Sequence, residues 1–316
     1  MKLALVFPGQ GAQKVGMGRD WADASPAARR TFEEADRALG EELSKLCWEG
    51  PEEELGLTAN TQPAILTVSV AVARAVREAG IDLAPVAVAG HSLGEYSALV
   101  AAGALPFADA VQLVRRRGEL MQEAVAPGVG AMAAILALDA AEVAAAVSQA
   151  QSEAETGQMV AVANYNANGQ TVISGHAAAV ERAAELARER GARKVTMLDV
   201  SAPFHSPLMG PARAGMEPLL AAAPLFDAAV PVVVNIDAEA KIAADDLRDA
   251  LARQIDGPVR WVESVEHMER EMGVEAFVEM GPGNVLTGMI RRIAEQAKPV
   301  AVSEPGHLEK LGELLG

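Results

Sequence analysis

The stretch that most constrains the fold is VAVAGHSLGEYSALVAAG, residues 86–103. Residues 86–89 are a short apolar run, Gly90-His91-Ser92-Leu93-Gly94 is a tight turn, and residues 95–102 have the composition of a helix. The order is therefore strand, turn, helix. So sharp a turn crowds its backbone against the strand and helix it joins, which is why small residues stand two before and two after the serine. The Ser92 hydroxyl is pushed into the open, and the following helix aims its N-terminus at any negative charge forming beside it. A chance pentapeptide in a Gly-rich chain is the alternative; the flanking strand and helix favour a nucleophile at Ser92.

Residues 2–7 read as a first buried strand, and residues 7–18, FPGQGAQKVGMG, as a Gly-rich loop directly after it. Lys14 stands where a dinucleotide-binding G-x-G-x-x-G needs its third glycine, and no G-K-[ST] follows, which argues against a nucleotide site. The loop can still bring backbone N–H groups near Gln10 close to a ligand oxygen. An ordinary strand-to-helix connection is the other reading. Helices are expected over residues 28–46, over 61–79 with Pro63 in the first turn, and over 107–124.

Past Pro127-Gly128 the organisation changes. Strands are expected at 131–138, 159–164, 170–174 and 193–198, and helices at 140–153 and 176–190. This β-α-β-β-α-β order is that of a ferredoxin-like unit, expected as a small domain of residues 128–198 inserted in a large one made of 1–127 and 199–316. The large domain resumes with DVSAPFHSPLM at Asp199. It continues with strands at 231–235, 276–280 and 299–303 and helices at 245–255, 261–272 and 307–315.

Composition narrows the function. Half of the 316 residues are hydrophobic and only 3% aromatic, which suits a close-packed α/β protein and not a base-stacking nucleic-acid surface. A formal net charge of −16 repels nucleic acid and anionic membranes, so an acidic partner has to dock on a local basic patch. Cys47 is the only cysteine, which excludes an intramolecular disulfide and a thiolate metal cluster and sets a cytoplasmic location as the expectation. The apolar run at the N-terminus stops at Pro8, too short for a signal peptide. Residues 83–105 are apolar but interrupted by His91, Glu95 and glycines, and read as core, not as a membrane span.

A serine hydroxyl needs a base to take its proton. Of the five histidines, His91 adjoins Ser92 in the turn and reads as packing or hydrogen-bonding the elbow, while His176, His267 and His307 read as capping or surface residues. His205 differs, lying in a Pro-flanked loop where the chain returns to the large domain. No acidic residue flanks it closely, so whatever orients its ring comes from elsewhere, a backbone carbonyl being one source. Arg115, Arg116 and Arg117 cannot all face one way on a helix, because successive side chains turn by about 100°. At least one points inward, toward either a protein carboxylate or a substrate acid. Spacing alone favours the protein partner.

Together these motifs resemble the malonyl-CoA:acyl carrier protein transacylases. The resemblance runs over essentially the whole chain, through FPGQGAQ at Phe7, TQPAI at Thr61, GHSLGEYSALVAAG at Gly90, RRRGELMQ at Arg115, NYNANGQTVISG at Asn164, APFHSPLM at Ala202, QIDGPVRW at Gln254 and EMGPG at Glu279. It implies an α/β fold: an α/β-hydrolase-like large domain with a parallel sheet, carrying a ferredoxin-like insert.

It also implies that Ser92 bears the acyl group, that His205 is general base and acid, and that a backbone carbonyl at Gln254 orients the imidazole. The backbone N–H groups of Gln10 and Leu93 match the oxyanion hole. Arg117 matches the residue that pairs bidentately with the malonyl carboxylate, which reverses the preference for a structural ion pair. Met121, four residues on along the same helical face, walls the acyl pocket, as do His91 and Phe204; phenylalanine before the histidine goes with malonyl donors.

The implied reaction moves malonyl from malonyl-CoA to the phosphopantetheine thiol of acyl carrier protein in fatty acid synthesis, by a ping-pong route and with no cofactor. Arg115, Arg116, Arg190, Arg193 and Lys194 are the candidate docking residues for the acidic carrier protein, against an ordinary solvated surface. The chain is expected to be a monomer. A serine esterase, which needs the elbow and histidine but not Arg117, and a silent interaction domain are the rival readings.

Overall fold

The computed structural model describes residues 1–315. In chain order it comprises β1 (Leu3–Phe7), α1 (Arg19–Ala24), α2 (Pro26–Leu39), α3 (Leu43–Glu49), α4 (Glu52–Gly56), α5 (Thr58–Glu78), β2 (Ala87–Gly90), α6 (Gly94–Ala101) and α7 (Phe107–Glu123). Then follow β3 (Gly130–Leu136), α8 (Ala140–Glu153), β4 (Val160–Ala167), β5 (Gln170–His176), α9 (Ala177–Glu189) and β6 (Lys194–Met197). The chain closes with α10 (Gly210–Ala222), β7 (Val232–Val234), β8 (Glu239–Lys241), α11 (Ala244–Gln254), α12 (Trp261–Arg270), β9 (Ala276–Met280), α13 (Val285–Ile293), β10 (Lys298–Val302) and α14 (His307–Leu315).

A six-stranded sheet runs β10-β9-β1-β2-β7-β8. Its central strands are buried on both faces, so LALVF of β1 reads as a continuous apolar run and not as an alternation. The first five strands are parallel and the short edge strand β8 is antiparallel to β7, so the sheet is mixed where a parallel one was expected. β1 and β2 end in register, Phe7 opposite Gly90. That register sets the Gly-rich loop after β1 beside the serine turn after β2, at the carboxyl ends of the strands, where open α/β sheets bind ligands.

A second sheet of four antiparallel strands runs β4-β5-β3-β6. Its side chains divide by the period of two. Ala133, Ile135 and Ile173 join a core under α8 and α9, while Met132 and Val172 on the opposite face join the core of the larger sheet. Register shifts in β4, between Val162 and Asn164 and between Tyr165 and Ala167, bend that strand where it passes the serine turn. Backbone bonds from Tyr165 N to Val259 O and from Val259 N to Ala163 O, 2.9 and 2.8 Å, tie it to the loop before α12.

Two helices differ from expectation. The one expected over residues 28–46 stops at Leu39, because Gly40 takes the left-handed conformation (φ 70°) and donates to Asp36 O, a helix-ending cap; α3 then starts afresh. The one expected from Thr61 begins at Thr58, with Leu57 O accepting from Asn60 N and Thr61 N at 2.8 Å. Pro63 therefore lies in the second turn, where it removes one ladder bond without ending the helix. No described helix is long and apolar enough to cross a membrane.

Candidate active site

The serine turn is steric in origin. A Cβ placed on Gly90 would lie 1.9 Å from the Gly94 carbonyl carbon, and one on Gly94 would lie 2.1 Å from Phe7 O. Neither position tolerates a side chain, and Ser92 between them is held at φ 50°, a conformation that costs a non-glycine residue energy. Asn235, just after β7, locks it there: its Oδ1 accepts from Ser92 N at 2.7 Å and its Nδ2 donates to Gly90 O at 2.8 Å.

Ser92 Oγ lies 2.8 Å from His205 Nε2. His205, itself at φ 55°, has its Nδ1 2.9 Å from Gln254 O and 3.2 Å from Gly257 O. Both neighbours are carbonyls that only accept, so Nδ1 carries the proton and Nε2 is free to accept from the serine. Two carbonyls therefore stand where a triad has a carboxylate. Burial, and secondly the charge of Arg117, push the imidazole down to about 3. The histidine is thus neutral, with Nε2 able to accept a proton.

That shift predicts a stability effect. Because the folded pKa lies below the ordinary value near 6.5, the unfolded chain binds the extra proton. Stability from this group is complete above about 6.5 and is lost as pH falls toward 3, by about 2 kcal/mol at pH 5. His205→Gln should show a smaller drop in melting temperature between pH 7.5 and pH 5 than the wild type; equal drops would contradict the assignment.

Arg117 is the inward arginine, only 1% exposed. Its Nη1 donates to Gln62 Oε1 at 2.8 Å, and its Nη2 to Gln254 Oε1 at 2.7 Å and Ser92 Oγ at 3.0 Å. No carboxylate among the described residues pairs with it, so the structural ion pair favoured by spacing is not formed. Its Nε is buried without any partner. The guanidinium carbon lies 5.7 Å from the centroid of the Tyr96 ring, and a buried cation without a carboxylate partner is suited to an acidic ligand.

These groups line a cleft of about 410 Å³ between the two sheets, roofed by Met132, Asn164, Asn166, Val172 and Leu198. Met121, Phe204, His91, Gln10 and Leu93 all line it as well. His91 sets its Nε2 2.8 Å from Asn166 Oδ1 and its ring against Trp261, and burial lowers its pKa. The backbone N–H groups of Gln10 and Leu93 donate to no protein acceptor among the described residues. Gly9 makes their approach possible, since a Cβ there would lie 2.4 Å from His91 O.

Of the five candidate docking residues, Arg115 pairs with Glu41 and Asn60, Arg116 with Glu119, and Arg190 with Glu142 at 3.0 Å. Arg115 is also largely covered, its side chain 14% exposed. Arg193 and Lys194 are exposed and form no ion pair among the described residues.

Several site groups were not read from the sequence. They are Gln62, Asn235, Glu95 and the side chain of Gln254, whose Nε2 donates to Ser92 O at 3.0 Å and to Glu95 Oε2. An acidic residue in the first turn of a buried helix was the available signal for Glu95; Gln62 and Asn235 carried none.

The chain matches the acyl transferase domain family over residues 4–306. It is 49% identical over 309 residues to the malonyl CoA-acyl carrier protein transacylase of Bacillus subtilis, covering 98% of this chain and 95% of that one. It superposes on the acyl-carrier-protein S-malonyltransferase of Burkholderia pseudomallei with a TM-score of 0.95 and 47% identity, covering 99% and 100% of the two chains. A malonyl-transacylase solved in complex with its type II PKS acyl-carrier protein gives a TM-score of 0.95 and 44% identity, with 99% and 100% covered. A cleft that joins a strained, histidine-bonded serine to a carboxylate-free buried arginine thus occurs in a chain that belongs to the acyl transferase domain family.

Proposed function

We propose that this chain transfers the malonyl group from malonyl-CoA to the pantetheine thiol of acyl carrier protein, in fatty acid synthesis, through a malonyl ester on Ser92. The observation that carries the reading is the contact of Arg117 with the same hydroxyl that His205 activates. A hydrolase has no use for a buried cation there, whereas a donor with a free carboxylate does.

Ser92 Oγ attacks the thioester carbonyl while its proton passes to His205 Nε2. The tetrahedral oxyanion is received by the N–H groups of Gln10 and Leu93, and collapse expels the CoA thiolate, which takes the proton from His205. The pantetheine thiol then attacks the ester, with His205 again as base, and the serine is regenerated. The malonyl carboxylate pairs with the Arg117 guanidinium, taking the Nη2 N–H that is otherwise turned to Ser92 Oγ, and Met121, Phe204 and His91 wall the pocket.

The strand order β4-β5-β3-β6 supports reading residues 128–198 as a ferredoxin-like insert in an α/β-hydrolase-like domain of 1–127 and 199–316. Arg193 and Lys194 are the basic candidates for docking the acidic carrier protein that are exposed and without an ion pair among the described residues, beside the paired Arg115, Arg116 and Arg190.

Intact-mass spectrometry after addition of malonyl-CoA tests the reading. A single malonyl adduct is expected, stable for many turnovers in buffer and discharged on adding holo acyl carrier protein. An adduct lost to water as fast as to the carrier protein would make the chain an esterase. No adduct at all would leave it without this chemistry.

A further inference from the structure

Glu95 is a carboxyl group with no part in the reaction as just described, yet it is 1% exposed and lies in the first turn of α6. Burying such a group is costly unless every oxygen is matched. Here each is: Oε1 accepts from Asn235 N at 2.5 Å, and Oε2 accepts from Gln254 Nε2. Both neighbours are donors that leave a carboxyl proton no acceptor between them, so they fit the ionised form. Burial pushes the group up to about 8, whereas a donor on each oxygen and Arg117 behind the Gln254 amide are the surroundings of a carboxylate, so the one-way chain through Gln254 is that of the ionised form and is lost where the group is protonated.

The amide of Gln254 has one donor end and one acceptor end, and its neighbours decide which way round it sits. Glu95 can only accept and Arg117 can only donate. The amide is therefore fixed with Nε2 toward Glu95 and Ser92 O, and with Oε1 toward Arg117 Nη2 at 2.7 Å. The same residue presents its backbone carbonyl to His205 Nδ1. Glu95 is thus the acceptor-only end of a one-way chain that terminates on the guanidinium. It supplies a negative charge near Arg117 while standing one amide away, where it leaves the guanidinium free to take a ligand carboxylate.

We propose that Glu95 is a positioning residue for donor selection: by accepting the Gln254 amide N–H it turns the Gln254 carbonyl oxygen toward Arg117, and so holds the guanidinium beside Ser92 at the acyl pocket. This rests on the malonyl-transfer reading. Glu95→Gln keeps the shape and can still accept from Asn235 N, but it puts an NH2 group against Gln254 Nε2. Two donors cannot face each other, so the Gln254 amide is pushed off the position in which its oxygen accepts from Arg117 Nη2, and the guanidinium loses that hold.

The test is kcat/KM for malonyl-CoA and for acetyl-CoA in Glu95→Gln, Arg117→Ala and the double variant, with melting temperatures recorded for each. Glu95→Gln should lose about 10- to 100-fold on malonyl-CoA and at least ~10-fold less on acetyl-CoA, the scale of one mismatched buried hydrogen bond. In the Arg117→Ala background the extra loss on malonyl-CoA should vanish. Equal losses on both donors, or a selective loss that persists without Arg117, would show a merely structural carboxylate and overturn the proposal. Should Glu95→Gln not fold, Gln254→Met cuts the same chain at its middle and must reproduce the selective loss. Wild-type enzyme that forms no malonyl adduct would instead refute the transfer reading, and this proposal with it.

Discussion

Ser92→Ala is expected to abolish both the malonyl adduct and transfer to the carrier protein, a loss of roughly 10⁵-fold or more, the scale seen when a nucleophile acting with its base is removed. The size follows from the geometry. Oγ is the one atom shared by His205 Nε2 at 2.8 Å and Arg117 Nη2 at 3.0 Å, so its removal leaves a base with nothing to deprotonate. The rest of the site should survive. Asn235 holds the turn through Ser92 N and Gly90 O, neither of which is a side-chain atom of the serine. The Gln62 and Gln254 oxygens still hold the guanidinium. The variant should therefore fold and bind malonyl-CoA with an affinity near that of the wild type, measurable by calorimetry. An adduct that persists on the alanine variant would place the nucleophile elsewhere.

How much of this was legible depended on the range of the physics involved. The serine turn was readable because its causes are local: apolar spacing changes period within a few residues, and Gly90 and Gly94 are there because no Cβ fits. The end of β9 and the extent of α14 were read to the residue for the same reason. Cap details were not, since Gly40 inside a helical pattern reads as tolerated until its left-handed φ is seen. The short edge strand β8 carried too little pattern of its own to be read; the helices α10 and α13 were not read, although α13 buries Leu286, Ile290 and Ile293 at helical spacing.

At the site, spacing alone required an inward arginine but misjudged its partner, because a carboxylate is the commonest solution and two glutamine oxygens are an uncommon one. The carbonyls behind His205 could not be picked out from composition, as every residue has one. Asn235 and Glu95 meet the serine turn only through tertiary packing, across spans of chain in which nothing local marks them. The family resemblance supplied roles for Gln254 and Arg117, yet not the side-chain amide that joins them.

The second large effect is a reversal of donor preference in Arg117→Ala. In the wild type a malonyl carboxylate would meet a guanidinium shielded from water, a paired and charge-assisted contact. Removing one side of a buried ion pair costs about 3–5 kcal/mol, so kcat/KM for malonyl-CoA should fall by roughly 10²- to 5 × 10³-fold. Acetyl-CoA brings no charge and gains nothing from the arginine. In the wild type its methyl group would have to sit against a buried cation, whereas the alanine variant offers it the wall of Met121 and Phe204 beside a neutral space. Acetyl loading should therefore hold or rise while malonyl loading collapses, and the preferred adduct in a one-to-one mixture should change from malonyl to acetyl. His205 gives an internal control, since Arg117 is one cause of its lowered pKa and is absent in the variant. The acid limb of acetyl-CoA turnover should then move to higher pH, toward the ordinary histidine range, because the neutral base is no longer protected by a neighbouring positive charge. Equal losses on both donors with no movement of that limb would mean that Arg117 merely supports the fold.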